Sequence, residues 1–446
     1  MIVISDPRIL IRGDQATGRS ETCAIDLALC NPRRAYAGGR RRTAVPGVCS
    51  QRRLCARSGD PIMTSCFDDV RATRSRGACR THVRACPQAN RCARLVVTVG
   101  LALIASVCVG SPRGADEIFV DGFERVVCDP GLPSDSGNAL QYAAAMDLCR
   151  TTTEQSVDWG VIDASLTLSS GTGTAAPASH AIRSTFGPGN SPRAGAAMVV
   201  LSTGAAAVPG QTNPPFVAFQ PGLDTGTQSA APADWLAANG GIFPNAPGCP
   251  AASSSTAYNP VMLTLRIRVP SAVHSFRLNA SFLSAEYPEY VCSAFNDLFV
   301  VLLDSGFTGA PANPADKNIA SYATSGNVYP VGTNLAFGNT GLFTQCVNGS
   351  TGCAAGAIAG TTNTCASTSG LIGTSMDTPD PGMCDTNSLT GGGTDWLVLR
   401  GNVVPGEIMQ LRFALWDTAD GQYDSVVLLD NFEWSTDVVT PGASRD

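Results

Sequence analysis

Lysine and histidine are almost absent: Lys317 is the only lysine among 446 residues, and histidine occurs three times. Arginine supplies the remaining positive charge and is unevenly placed. Residues 1–115 hold 19 Arg against seven acids, a net charge of +12, while residues 116–446 hold ten Arg and one Lys against 29 acids, a net of −18. An acidic surface repels phosphates, so the long second piece is not expected to bind nucleic acid or an anionic membrane.

Catalytic equipment is equally sparse. The sequence has no GxSxG, no HExxH, no P-loop and no GxGxxG after a strand. His180 falls in a Ser/Ala-rich loop and His274 precedes an alternating strand, so both are expected on the surface rather than as general bases. Glu286 and Glu289 are a carboxylate pair of the type a glycosidase needs, but residue type alone supports that reading. No enzyme is expected. Among the eight cysteines beyond residue 115 there is no CxxC, which removes the usual zinc-site spacing.

A long apolar run is missing too. Leu95–Gly110 is sixteen uncharged residues behind Arg91 and Arg94, short of the ~20 that span a bilayer. A basic flank, a short apolar core and the small, polar exit Ser111–Ala115 describe a secretory signal peptide over 91–115. Residues 1–90 are Arg-rich, Cys-scattered and aperiodic, and are expected to be a disordered or spurious upstream extension. Residues 116–127 then form a linker, 128–436 a folded domain and 437–446 a tail. The chain is thus expected to be secreted, to the periplasm, the cell surface or the medium, with no membrane span in the mature protein.

The eight downstream cysteines, Cys128, Cys149, Cys249, Cys292, Cys346, Cys353, Cys365 and Cys384, allow four disulfides in an oxidising compartment. Cys128–Cys149 would staple a predicted helix to the chain entering it. Cys346, Cys353, Cys365 and Cys384 share one Gly/Thr/Ser-rich stretch and are expected to pair mostly among themselves.

The helix is predicted from Asp135 or Ser136 to about Cys149, with Leu140, Ala144 and Leu148 on one stripe. Beyond it the pattern is extended. Val157–Leu168 and Ala196–Leu201 are candidate strands. Val261–Val269 and Phe276–Phe282 alternate apolar with polar residues, as half-buried strands do. Leu298–Leu303 is apolar throughout, suited to a strand covered on both faces. Trp396–Leu399, Met409–Leu415 and Ser425–Trp434 complete an all-β fold: a β-sandwich or jelly roll with long disulfide-stapled loops and one short N-terminal helix.

Two inter-strand segments carry polar chemistry. Ser284–Asp297 reads SAEYPEYVCSAFND, and Trp416–Ser425 reads WDTADGQYDS. The combination of SAEYPEYV…FNDLFVVLLD with PGEIMQLRFALWDTADGQYDSVVLLDNFEW resembles the bacterial choice-of-anchor L domain family, over roughly Cys128–Trp434. The resemblance implies a secreted or cell-surface β-rich domain and carries over no catalytic residues. After Trp434 only Ser435–Asp446 follow, without an apolar span or a sorting motif, so free secretion is expected rather than anchoring.

Asp417, Asp420 and Asp424 crowd three carboxylates into one short loop. Such charges are either solvated in a hydrogen-bonded turn or bridged by a cation, and Ca²⁺ takes six to eight hard oxygen ligands. Glu286, Asn296 and Asp297 can join that set if both segments occupy one edge of the sandwich. Asp430, inside a strand-like run, is expected to be a structural hydrogen-bond partner. Tyr287, Tyr290, Phe295 and Tyr423 are either a glycan-stacking surface or, as aromatics at strand corners usually are, rim packing. The resulting expectation is a secreted, non-catalytic surface or extracellular-matrix-type protein, calcium-stabilised, binding a glycan or protein ligand. The alternatives are a lectin-like carbohydrate-binding module and, last, a hydrolase.

Overall fold

A computed structural model describes four strands near the start of the chain, β1 (Ile9–Asp14), β2 (Ala24–Cys30), β3 (Cys49–Cys55) and β4 (Thr64–Cys66). It then describes residues 128–446 apart from 129–130, 325, 339, 353–360, 380–383, 385–388 and 446. The expected signal peptide at 91–115, the linker at 116–127 and Cys353 lie outside the described residues. The chain divides into two units, Met1–Ser111 and Pro112–Asp446. In the first, β1 to β4 pair in sequence order as an antiparallel meander, within a stretch whose sequence shows no strand periodicity.

The second unit opens with helix α1 (Ala139–Ala145), followed by β5 (Gly160–Thr167), β6 (His180–Arg183), β7 (Met198–Ser202) and β8 (Gln228–Ala230). A second helix, α2 (Ala233–Ala238), precedes β9 (Thr256–Arg268), β10 (Ser275–Ser284) and β11 (Leu298–Asp304). Shorter strands follow: β12 (Ser321–Thr324), β13 (Asn327–Gly332), β14 (Phe343–Gln345), β15 (Gly349–Thr351), β16 (Thr361–Asn363) and β17 (Gly392–Thr394). The chain closes with β18 (Leu397–Asn402), β19 (Ile408–Thr418), β20 (Ser425–Ser435) and β21 (Gly442–Arg445).

Two antiparallel sheets form the expected sandwich. The first runs β14-β17-β10-β20-β7-β6, with β18 beside β10 and β21 beside β18. The second runs β12-β13-β11-β19-β9-β5, with β8 beside β9. Strand alternation explains the core. Leu263, Leu265 and Ile267 of β9 and Phe299, Val301 and Leu303 of β11 face Phe276, Leu278 and Phe282 of β10 and Val427 and Leu429 of β20 across the inter-sheet layer. The alternate residues are buried as well. Val200, Val426 and Leu428 lie under Phe186 and Phe219, while Leu298, Val300, Leu302 and Trp416 lie under Trp235 and Phe243. Leu298–Leu303 is therefore covered on both faces, as its unbroken apolar run requires.

Several local expectations are corrected. Helix α1 is capped by Asn138, whose side chain accepts from the Leu140 amide at 3.1 Å; Ser136 instead accepts from the Asn138 amide in the turn before it. The buried stripe is Tyr142, Ala143 and Met146, with Leu140 and Ala144 on its flank. Helix α2, too short to show periodicity, seats Trp235 on the second sheet. Its Asp234 receives a bidentate pair from Arg412 at 2.8 and 2.6 Å and a third bond from Lys317 at 2.7 Å. His180 is buried, not a surface residue: its Nδ1 lies 2.7 Å from the Tyr142 hydroxyl, and burial lowers its pKa to about 4. His274 is exposed as expected. Residues 442–445, read as tail, add the strand β21 to β18.

Disulfides join Cys128 to Cys149, Cys249 to Cys292 and Cys346 to Cys365. The first is the staple predicted for the helix, and the third falls within the Gly/Thr/Ser-rich stretch. Cys384 is disulfide-bonded as well. Among the described residues no helix is long and apolar enough to cross a membrane.

Candidate functional site

The two polar segments meet because each connects one sheet to the other. Residues 285–297 lead from β10 in the first sheet to β11 in the second, and residues 419–424 lead back from β19 to β20. Ser284 pairs with Ser425 across β10 and β20, and Leu298 pairs with Trp416 across β11 and β19. Antiparallel register therefore puts both crossovers over the same end of the sandwich. The condition set for the acidic residues, one shared edge, is met.

Asp297 is the strut between them. One carboxylate oxygen accepts from the Thr418 amide at 3.2 Å and the other from the Ser425 hydroxyl at 2.6 Å, so a residue of the first crossover holds both ends of the second. Asp417 stands at a bulge in β19, opposite Tyr258. Its Oδ2 accepts from Asn259 Nδ2 at 3.1 Å, and the same amide group donates to the Gly421 carbonyl at 3.2 Å. Asp424 accepts from the Leu223 amide at 3.1 and 3.2 Å. Its carboxylate fills the space a Cβ would need at Gly222, whose φ of +98° also disfavours any side chain. Asn296 is engaged by the backbone: its Oδ1 accepts from the Asn334 amide at 2.8 Å, fixing the loop that carries it.

All of these are taken out of water. Glu286, Glu289, Asn296, Asp297, Asp417 and Asp424 are buried, while Asp420 is half-buried and accepts from the Gln422 amide at 3.1 Å. A solvated turn is therefore the right description of Asp420 and the wrong one for Asp417 and Asp424. Burial, followed by the charges of Asp297, Asp417, Asp420 and Glu289, holds the Glu286 carboxyl well above the ordinary range. Burial, then Asp297 and Asp424, does the same for Asp417. Burial pushes Asp297 up to about 8 against the bonds from Ser425 and Thr418, and Asp424 up to about 7.

Two oxygens stand out. Glu286 Oε2 and Asp417 Oδ1 are buried and make no hydrogen bond of good geometry, although the Thr203 hydroxyl stands close enough to Asp417 to offset a little of what burial does to its carboxyl. A buried carboxylate oxygen left without a donor costs several kcal/mol, or about 1–3 kcal/mol for a neutral group, unless a proton or a cation reaches it. Among the described residues no three His, Cys, Asp or Glu side chains are already gathered at metal-ligating spacing. Asp297 and Asp424 are committed to protein donors, whereas Glu286 Oε2 and Asp417 Oδ1 are not.

The aromatic residues form a rim rather than a flat platform. Tyr287 is buried against Phe343, with centroids 5.0 Å apart. Tyr290 packs on Phe295 and on Tyr423 at 5.5 and 5.3 Å, with planes tilted by 67° and 48°, and all three are half-buried. Asp430 accepts from the amides of Arg193, Ala194 and Asn431, a structural role. Sequence reasoning missed Asn259, Ser425 and Gly222. The Asn259-Pro260 pair, which interrupts β9 just before its regular alternation begins, was a signal for the first; nothing local marked the other two.

A family model for the choice-of-anchor L domain matches residues 196–433, just over half the chain. The match begins just before β7 and ends within β20, so it takes in both crossovers but not α1, β5, β6 or the Cys128–Cys149 bridge. Neither curated proteins nor solved structures gave a match. With both signature segments inside the matched span, the chain belongs to the choice-of-anchor L domain family.

Proposed function

We propose that the chain is a non-catalytic extracellular or cell-surface binding protein whose two inter-sheet crossovers are locked together by a divalent cation, calcium before magnesium. The family and the disulfides fit that location. The observation that carries the cation is the pair of buried oxygens without a well-formed hydrogen bond, Glu286 Oε2 and Asp417 Oδ1, among carboxyls that burial keeps high. Glu286 and Asp417 would hold the ion, with main-chain oxygens and water completing its shell. Calcium accepts irregular shells of six to eight oxygens, whereas magnesium demands a near-ideal octahedron. The cation would supply no bond-making chemistry here; it would neutralise charge and fix the loops. Those loops carry the half-buried rim of Tyr290, Phe295 and Tyr423, and contact with an external partner is assigned to this end of the sandwich.

Thermal melting of the full chain tests the reading. Calcium at 100 times its Kd adds ~2.7 kcal/mol to the folded state. At ~2–4 °C per kcal/mol in domains of 150–250 residues, the melting temperature rises by about 5 °C or more over the EGTA-treated chain. Asp417→Asn abolishes the rise. No rise at millimolar calcium retires the cation.

A further inference from the structure

Asn259 stands where three segments meet. It lies in β9 just before Pro260, is 1% exposed and takes a φ of +46°, in the left-handed region that asparagine tolerates better than most residues with a side chain. Its side-chain amide uses every hydrogen-bonding position it has. Oδ1 accepts from the Thr225 amide at 2.9 Å and from the Thr225 hydroxyl at 2.8 Å, while Nδ2 donates to Asp417 Oδ2 and to the Gly421 carbonyl. These partners fix which way the amide points. Exchanging its oxygen and nitrogen would set oxygen against the Asp417 carboxylate and the Gly421 carbonyl, and nitrogen against the Thr225 amide. The close approach also needs glycine at 421, where a Cβ would come within 2.7 Å of Nδ2.

The Thr225 side of this joint has no apolar anchor. Between Phe219 and Ala231, both buried, no described residue joins a hydrophobic cluster, and β8 begins only at Gln228. Residues 220–227 are thus a strap held by polar contacts. The Pro221 carbonyl accepts from the Tyr423 amide at 2.8 Å, the Leu223 amide donates to Asp424, and the Thr227 carbonyl accepts from the Asn259 amide at 2.8 Å. Segments with few apolar contacts open at low cost, so each of these bonds matters for the order of the strap.

We propose that Asn259 is a positioning residue for the cation and the joint that couples the ion to the strap and the aromatic rim. By holding Oδ2 it turns Oδ1 of Asp417 to the ion. Through the same amide it ties an occupied Asp417 to the strap and to the turn that leads into Tyr423. An ion that immobilises Asp417 thereby orders residues 220–227 and the Tyr423 side of the rim. A strap already in place favours the ion to the same extent, because coupling between two sites is reciprocal. This role presupposes the cation at Glu286 and Asp417, and gives it a route to the partner-facing rim.

Thr225→Val keeps the side-chain shape and removes the hydroxyl that bonds Asn259 Oδ1 and meets the Thr227 hydroxyl. Calcium titration of the full chain gives a Kd about fivefold higher in Thr225→Val, the scale of one neutral hydrogen bond. In Asn259→Gly, whose glycine accepts the positive φ, the Kd is about tenfold or more higher. In the double variant the Thr225→Val effect disappears, because it acts through Asn259. In the wild-type chain, saturating calcium slows hydrogen exchange at the Thr225 amide by about fivefold, which a merely structural tie does not produce and which is read without any variant. Unchanged calcium affinity in Thr225→Val, full additivity in the double variant, or a Thr225 amide indifferent to calcium overturns the proposal and leaves the cation standing. A wild-type chain that takes up no calcium removes both.

Discussion

In calcium-free buffer the full chain unfolds more easily at pH 8 than at pH 5, and saturating calcium narrows the difference. Asp297, Asp424 and Asp430 have folded-state pKa values of about 8, 7 and 7, against ~3.9 for an unperturbed aspartate. Glu286 and Asp417 are displaced in the same direction. Between about pH 4 and pH 8 the folded chain therefore binds more protons than the unfolded chain, and its stability falls as pH rises through that window. His180 works the other way. Its pKa of about 4 lies below the ordinary 6.5, so it costs stability as pH falls from about 6.5 towards 4. One imidazole opposes five carboxyls, and the carboxyls dominate down to about pH 5. Each tenfold change in proton affinity is worth ~1.4 kcal/mol, so Asp424 and Asp430 alone put the loss from pH 5 to pH 8 at about 5 kcal/mol, and the other carboxyls add to it. Calcium displaces the protons of Glu286 and Asp417 and binds more tightly as pH rises. Denaturant unfolding at the two pH values, with EGTA or calcium, measures all four stabilities. A flat or rising stability from pH 5 to pH 8 in EGTA shows that the carboxyls ionise in the fold without an ion.

Replacing both Cys249 and Cys292 by serine lowers stability by about 4 kcal/mol, the chain-entropy value for a 43-residue separation, and also weakens calcium binding. Cys292 sits in the crossover that carries Glu286 and Asp297. The bridge ties this crossover to the segment before β9, and Asn334 reinforces the tie. Its side-chain Nδ2 donates to Asn245 Oδ1 at 2.8 Å and to the Ser293 carbonyl at 3.1 Å. Without the bridge the crossover gains freedom that ion binding must then remove. Calcium affinity is expected to fall about tenfold, which is ~1.4 kcal/mol of that ordering cost. The Cys128→Ser/Cys149→Ser double variant, whose bridge spans a separation of 21, loses about 3 kcal/mol of stability and keeps its calcium affinity. Equal loss of calcium affinity in both pairs of variants contradicts a local role for Cys249–Cys292.

The fold was legible where side-chain periodicity was strong. Val261–Val269 and Phe276–Phe282 announced β9 and β10 by alternation, and Leu298–Leu303 announced a strand with two covered faces. Strands of three residues, β8, β14 and β17 among them, are shorter than the period that would reveal them. Helix α2 escaped for the same reason. His180 was misplaced because a Ser/Ala-rich neighbourhood resembles a loop, whereas its burial is set by Tyr142 from 38 residues away. The acidic residues were identifiable as a set, since three carboxylates in one short loop are unusual. Their burial was not, because it follows from two crossovers converging on one end, a property of topology rather than of either segment. The Cys249–Cys292 pairing has the same origin.

Direct calcium binding by isothermal titration to the EGTA-stripped full chain, at pH 7 in two buffers of different ionisation enthalpy, reads this account most simply. A saturable site that releases protons as it fills, and that Glu286→Gln or Asp417→Asn removes, is the predicted result. A chain that takes up no calcium at millimolar concentration, or takes it up equally in both variants, contradicts it.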